Sequence, residues 1–133
     1  MDALPNAGLH LYIVWVAVKN VQTPQELEAN AAREGTRFAG RRTSSYVDVK
    51  GEATRAFAIP LKLEPRLGVQ LPAWDAYLAY GPQRQWESDS VPAPDYWMHQ
   101  LSNAPKQLTL NGDEFRAHVV ALLSLPPAAA AAP

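Results

Sequence analysis

Apolar residues are first concentrated in a stretch from Leu9 to Val18, which is rich in β-branched and aromatic side chains. They fall on both alternating sets of positions, so neither face of an extended chain would be polar. That pattern indicates a β-strand that is covered on both faces or lies in the centre of its sheet. The continuous apolar part, from Leu11 to Val18, is too short to cross a bilayer, which takes ~20 residues.

The next segment, TPQELEANAAREG, carries the signals of a helix with a defined beginning and end. Thr23 suits the N-cap, a proline occupies the first helical position, and Glu26 lies three residues after the cap, as in a capping box. Gly35 predicts the end of the helix. Only Leu27 and Ala31 form an apolar face, so we expect a surface helix that turns small residues toward a sheet.

Segment 43–63 alternates between apolar and other residues on both sides of Gly51. This alternation predicts a β-hairpin with its turn near that glycine. A three-residue loop pairs Val47 with Phe57 and keeps the apolar residues on one buried face, and we favour this register. A two-residue loop would instead place opposite charges across the strands, but it would scatter the apolar residues over both faces.

Further elements are predicted in the second half of the chain. The last of them has the clearest signal, because an asparagine suits its cap, two acids occupy its first turn, and apolar residues recur at helical spacing. The predicted elements are a strand from about Trp74 to Tyr80, a short helix from Asp95 to about Asn103, a short strand at residues 107–110, and a helix after Asn111.

In chain order these elements read β-α-β-β-β-α-β-α. The combination of a hairpin with helical crossovers indicates an α+β fold, in which two to three helices pack on one face of a single-layer, mainly antiparallel sheet of four to five strands. The length of 133 residues suits one domain, which we assign to residues 1–125. Residues 126–133, rich in alanine and proline, are expected to form a flexible tail.

Cysteine is absent from the chain, which excludes disulfides, thiolate metal sites and cysteine nucleophiles. The histidines fall on separate predicted elements without a metal-ligand spacing, so neither a metal nor a cofactor is expected. The N-terminal segment lacks a basic leader region. We therefore expect a soluble protein without a membrane span, in the cytoplasm by preference, although a mature secreted form would look the same.

The formal net charge of -1 hides an uneven distribution along the chain. Residues 33–66 carry a net charge of +4, whereas residues 1–32 carry -2 and residues 67–133 carry -3. A fold that separates these segments would place a positive surface opposite a negative one.

Arginines are clustered in the stretch REGTRFAGRRTSS. Arginines beside hydroxyl donors can hold phosphate, as in contacts to the backbone of a nucleic acid. The sequence pI of about 6.3 is nevertheless far below that of a dedicated nucleic-acid binder. The alternative is a solvated loop in which the arginines pair with Glu34 and other surface acids. The candidate binding residues here are Arg37, Arg41, Arg42, Thr43 and Ser44.

A second candidate binding surface is the aromatic stretch of Tyr96 and Trp97, followed by Met98. On the predicted helix these neighbours diverge by about 100°, so at least one of them would lie near the surface. An exposed Tyr or Trp would suit the anchor of a protein–protein interface. Burial of all three beneath the loop QRQWESDS is the alternative.

Two histidines have an acid four residues before them: Asp95 precedes His99 and Glu114 precedes His118. On a helix each acid could orient its imidazole as a general base. Both acids also lie in a first helical turn, where they interact favourably with the helix dipole without any histidine. No nucleophile elbow, phosphate loop or dinucleotide-binding motif accompanies them.

The sequence therefore predicts a small non-catalytic module that docks on a protein partner or on further copies of itself. The alternative function is binding of a nucleic acid or phosphorylated ligand through the arginine-rich loop, Arg33 to Arg42. A third hypothesis is an enzyme that uses His99 or His118 as a base.

Overall fold

A computed structural model of the chain describes residues 8–17, 22–38, 42–63, 73–102 and 104–126. Within those ranges the chain forms three helices and two sheets of two strands each, and none of these helices is long and apolar enough to cross a membrane. The elements are β1 (Leu11–Val16), α1 (Pro24–Gly35), a 3-10 turn (Thr36–Phe38), β2 (Thr43–Asp48), α2 (Glu52–Ala58), β3 (Ala76–Ala79), β4 (Tyr96–His99), a 3-10 turn (Lys106–Leu108) and α3 (Gly112–Leu123).

The mixture of helices and strands agrees with the predicted class, but the arrangement differs. The described elements follow the order β-α-β-α-β-β-α, and two separate strand pairs stand where a single sheet of four to five strands was predicted. One pair is parallel and the other is antiparallel. Most of the expected tail, residues 127–133, lies outside the described residues.

The start of α1 is the capping box predicted from the sequence. The Thr23 hydroxyl accepts a hydrogen bond from the Glu26 N–H at 3.2 Å, and a Glu26 carboxylate oxygen accepts one from the Thr23 N–H at 2.7 Å. The helix ends at Gly35. Its buried residues are Leu27 and Ala31, so the prediction of this helix and of its apolar face is confirmed.

Helix α1 crosses from β1 to β2, which makes these two strands parallel. It lies on one face of the pair, since a Cβ atom on Gly35 would stand 3.9 Å from the Ser45 hydroxyl. On the opposite face Tyr12 and Val14 are exposed. The prediction that both faces of the first strand are covered is therefore wrong, because the described part of the chain supplies a helix on only one side.

The predicted hairpin around Gly51 is also wrong, since β2 is followed by helix α2. The two carboxylate oxygens of Asp48 accept hydrogen bonds from the Glu52 N–H at 2.9 Å and the Thr54 N–H at 3.2 Å. Gly51 takes a left-handed conformation, with φ of 69°, which lets the chain turn into the helix at little cost. Capping at this junction outweighs the alternating pattern of the sequence.

Strands β3 and β4 form an antiparallel pair, and β4 occupies the place of the predicted helix from Asp95 to Asn103. Met98 and His99 are 0% and 1% exposed. Because neighbours on a strand point to opposite faces, burial of both residues requires cover on both sides of β4. Pairing with β3 and this two-sided burial favour the extended conformation, for which tyrosine and tryptophan are well suited.

Helix α3 covers one face of the β3–β4 pair. The Asn111 side chain accepts hydrogen bonds from the N–H groups of Asp113 and Glu114, which confirms the predicted cap. Phe115 contacts the rings of Tyr77 and Tyr96. The short strand predicted just before this helix is wrong, because a 3-10 turn and one isolated bridge between Thr109 and His99 are found there.

The other face of the β3–β4 pair contributes to the main core, which also includes the end of α2. Trp97 and Leu78 stand on this face and pack against the buried alanines and leucines. The Ala73 N–H donates to the Thr54 carbonyl at 2.9 Å, which ties the approach to β3 to α2. The buried residues of the core are Ala58, Leu61, Leu63 and Ala73.

Replacing the capping carboxylate should destabilise the protein. We expect Asp48→Ala to lower the free energy of unfolding by about 1–2 kcal/mol, because two N–H groups at the start of α2 lose their acceptor. Urea denaturation measures this difference. Glu28→Ala removes the same charge from an exposed position and should change stability by less than about 0.5 kcal/mol. Equal losses for both variants would contradict the capping role.

A second prediction concerns acid stability. Burial alone raises the pKa of Asp95, but hydrogen bonds from Arg84 and from the Gly81 N–H hold the pKa below its ordinary value. The carboxylate therefore stabilises the fold fully above the unfolded pKa of ~3.9, and this contribution is lost as the pH falls through the lower folded pKa. Asp95→Asn should cost about 1 kcal/mol at neutral pH.

Urea denaturation between pH 7 and pH 2 measures the effect. The difference between wild type and Asp95→Asn should shrink only below about pH 4, where the wild-type carboxylate becomes protonated. Asp89→Asn, an exposed acid in the neighbouring loop, is the matched control and should show no such difference. A difference that persists unchanged at pH 2 would refute the assignment.

Candidate functional site

Two arginines, one in the last turn of α1 and one just after it, are engaged in local ion pairs. Arg33 and Arg37 both donate to the Glu34 carboxylate, at 3.1 and 3.2 Å. These two hydrogen bonds hold the pKa of Glu34 below its ordinary value. Arg41 lies outside the described residues, and Arg42 directly precedes β2. For Arg33 and Arg37, the structure therefore agrees with the alternative of pairing with Glu34.

The hydroxyl residues after the arginines belong to the sheet. Thr43 and Ser44 begin β2, where they stand opposite Leu11 and Tyr12 in the parallel register. The Ser44 hydroxyl lies 2.9 Å from His10 Nε2 and is hydrogen-bonded to it. The serine predicted to hold phosphate is thus part of a side-chain contact across the two strands.

The face of the β1–β2 pair opposite α1 carries a row of aromatic rings. His10 stacks on Tyr12 with 4.4 Å between ring centroids, and Tyr12 stacks with Tyr46 at 6.5 Å. Tyr12 and Tyr46 are 63% and 54% exposed, although both lie on strands. We call this surface the tyrosine face; it consists of His10, Tyr12, Val14, Ser44 and Tyr46.

The tyrosine face is electrically neutral when His10 is neutral. Asp48 stands at its end, but its carboxylate is bonded to the start of α2. Among the described residues, neither the Tyr12 nor the Tyr46 hydroxyl has a hydrogen-bond partner. The surface can therefore offer two hydroxyl groups, each both donor and acceptor, together with the apolar ring edges and Val14.

Tyr96 and Trp97, the second predicted binding surface, have structural roles. The Tyr96 hydroxyl donates to Glu114 at 2.9 Å, and its ring stacks on His118 with 3.5 Å between centroids. Burial and this hydrogen bond raise the pKa of Tyr96. Trp97 packs on the core. Since they lie on a strand, the two side chains point to opposite faces, where α3 and the core partly cover them.

Neither predicted acid–histidine pair is formed. Residues 96–99 form a strand, so no helical turn brings Asp95 near His99. The Asp95 carboxylate is instead bonded to the Arg84 side chain and to the Gly81 N–H. Glu114 binds Tyr96 instead of His118. Among the described residues, no group of three acidic or histidine side chains is arranged to hold a metal ion.

His99 has a structural role that its sequence position did not reveal. Its Nδ1 accepts a hydrogen bond from the Leu101 N–H at 2.9 Å, and its Nε2 lies 2.9 Å from the Pro105 carbonyl oxygen. A carbonyl can only accept, so the proton resides on Nε2 and the ring is neutral. Both nitrogens are thus used to fix the chain after β4, and neither is available as a base.

The tyrosine face was missed in the sequence because Tyr12 and Tyr46 fit the composition of ordinary strands. Recognising it required the parallel register, which brings Tyr46 diagonally beside Tyr12.

Protein-family models, curated proteins and solved structures were all compared with the chain, and none matches. Function is therefore inferred from the chemistry of its own surfaces.

His99→Leu should destabilise the protein strongly. The change leaves the Leu101 N–H and the Pro105 carbonyl without their partner in a buried site, and we expect a loss of about 3 kcal/mol in the free energy of unfolding. Denaturation by urea measures it. An imidazole NMR spectrum should also show the proton of wild-type His99 on Nε2.

His10→Leu changes an exposed histidine and serves as the control, with an expected loss below about 1 kcal/mol. A proton located on Nδ1 of His99, or a loss from His99→Leu no larger than that of the control, would show that the two backbone contacts do not fix this segment.

Proposed function

We propose that the chain is a binding module that docks on a protein partner through the tyrosine face. The observation that carries this proposal is an open, neutral sheet face with two tyrosines that are more than half exposed. Parallel strands are normally covered on both faces. Here α1 covers only one, so a partner would complete the layer that the described chain leaves open.

The chemistry of the face favours a protein. Tyrosine presents a large, rigid contact area at a low cost in conformational entropy, and its hydroxyl satisfies polar groups at an interface. Tyrosines also dominate the energetics of many protein–protein contacts. The ring stack of His10, Tyr12 and Tyr46 holds these side chains in place before binding, which reduces the ordering cost further.

Nucleic acid, the alternative partner, has less support. Bases bind by stacking on free aromatic faces, but the Tyr12 ring is already stacked with His10 and with Tyr46. Phosphate contacts need available cations, whereas Arg33 and Arg37 share the Glu34 carboxylate. An enzyme based on His99 or His118 is supported still less, since His99 has both nitrogens bonded to the backbone.

Removing the two tyrosines should abolish partner binding without unfolding the protein. We expect the double variant Tyr12→Ser/Tyr46→Ser to recover at least about tenfold less of a specific protein in quantitative affinity capture from the source cells, because hot-spot tyrosines contribute about 2 kcal/mol or more each. The double variant Phe38→Ser/Trp74→Ser removes two exposed aromatic residues elsewhere and should recover the wild-type amount.

The complementary measurement is fluorescence anisotropy with single-stranded DNA and RNA at increasing salt. We expect no binding that depends on Arg42. Salt-sensitive binding that is lost on Arg42→Ala, with protein capture unchanged by the tyrosine substitutions, would replace the proposed function by nucleic-acid binding.

A further inference from the structure

A groove lies between the C-terminal end of α2 and the loop that follows β3. Its volume is about 460 Å³, within the range of ligand-binding clefts. Ile59 and Trp86 contribute its largest apolar surfaces and are 72% and 53% exposed. We call it the acidic groove; it is lined by Ala56, Ile59, Pro60 and residues 86–91.

The wall of the acidic groove is held in place by its own contacts. The Trp86 ring packs at 4.9 Å from the Tyr80 ring and edge-on at 6.3 Å from Phe57. The Tyr80 hydroxyl donates to the Pro92 carbonyl at 3.2 Å, and burial raises the pKa of Tyr80 to about 12. A bridge between Glu87 and Ser90 closes the loop between them.

The described charged side chains that line the acidic groove are all negatively charged. Among the described residues that line it, Glu87 and Asp89 are the charged ones, and both are exposed. They stand beside the apolar surfaces of Ile59 and Trp86, and the indole can also attract a cation over its face. An apolar side chain next to a positive charge would therefore find complementary surfaces in one place, whereas phosphate groups and anionic lipids would be repelled.

We propose that the acidic groove binds a linear segment of a partner protein in which an apolar side chain is flanked by lysine or arginine. The apolar side chain packs between Ile59 and Trp86, and the cations lie beside Glu87 and Asp89. The proposal is independent of the tyrosine face, because the two surfaces share no residue. Contacts within the chain hold the wall of the acidic groove in place before binding, so only the bound peptide segment has to become ordered.

The test uses the full chain and three blocked pentapeptides in an NMR titration of the backbone and indole N–H signals. The first peptide is Ala-Arg-Leu-Arg-Ala; the second, Ala-Arg-Ser-Arg-Ala, lacks the apolar anchor, and the third, Ala-Glu-Leu-Glu-Ala, reverses the charge. The first should shift the signals of Ile59 and residues 86–91, and both others should bind at least about tenfold more weakly.

Variants of the groove separate the apolar from the electrostatic contribution. Ile59→Ser changes a largely exposed residue and should weaken binding of the first peptide by about tenfold at any salt concentration. Glu87→Gln/Asp89→Asn should weaken it several-fold at low salt and remove its salt dependence. Val120→Ser, an exposed apolar residue on α3, and Tyr12→Ser should leave this binding unchanged.

Three results would overturn the proposal. The first is the absence of shifts in the groove at millimolar peptide. The second is equal binding of the acidic and basic peptides, which would show that Glu87 and Asp89 do not select the partner. The third is a shift of the groove signals with protein concentration alone, lost on Ile59→Ser, which would show that a second copy of the chain occupies the groove.

Discussion

The arrangement of the molecule depends on the hydrogen bonds that Asp48 makes to the start of α2. Its two carboxylate oxygens bind the N–H groups of Glu52 and Thr54, and left-handed Gly51 supplies the turn. Because the chain enters a helix here, it does not return along β2, and the β1–β2 pair receives no further strand from this segment. The same junction sends Phe57 and Ala58 to the core shared with β3 and β4. The Asp48 carboxylate thus affects both the β1–β2 pair and the core around β3 and β4.

Strand β4 connects the core around α2 with helix α3, because both of its faces are covered. Met98 faces α3, where its sulfur accepts a hydrogen bond from the Asn111 N–H at 3.3 Å, and Trp97 faces the core that contains α2. His99 is buried among these elements, but its two nitrogens bind backbone groups of the chain that leaves the strand. A buried polar ring is tolerated when its hydrogen bonds are made, and here they also guide the chain toward α3.

Elements with local signals could be predicted from the sequence, whereas elements decided by distant contacts could not. Thr23 and Asn111 cap their helices through neighbours three or fewer residues away, so the sequence alone identifies both helices. The four residues of β4 are extended because of β3 and burial on two sides, and no local pattern contains that information. At Asp48 a local signal existed, a carboxylate placed to cap the helix, but the alternation around Gly51 competed with it. Tyr12 and Tyr46 are 34 residues apart, so the tyrosine face follows from the crossover through α1.

The positive charge of the arginine-rich stretch is partly offset by a neighbouring acid. Arg33 and Arg37 fall within one turn of Glu34 and share its carboxylate, so this acid offsets one of the two positive charges locally. Likewise, Arg84 in the negative segment is paired with Asp95. Glu87 and Asp89 line the acidic groove beside exposed Ile59 and Trp86. In the proposed interactions, electrostatic selection of a partner belongs to the acidic groove, whereas the tyrosine face, which is neutral when His10 is neutral, selects its partner by shape and hydrogen bonding.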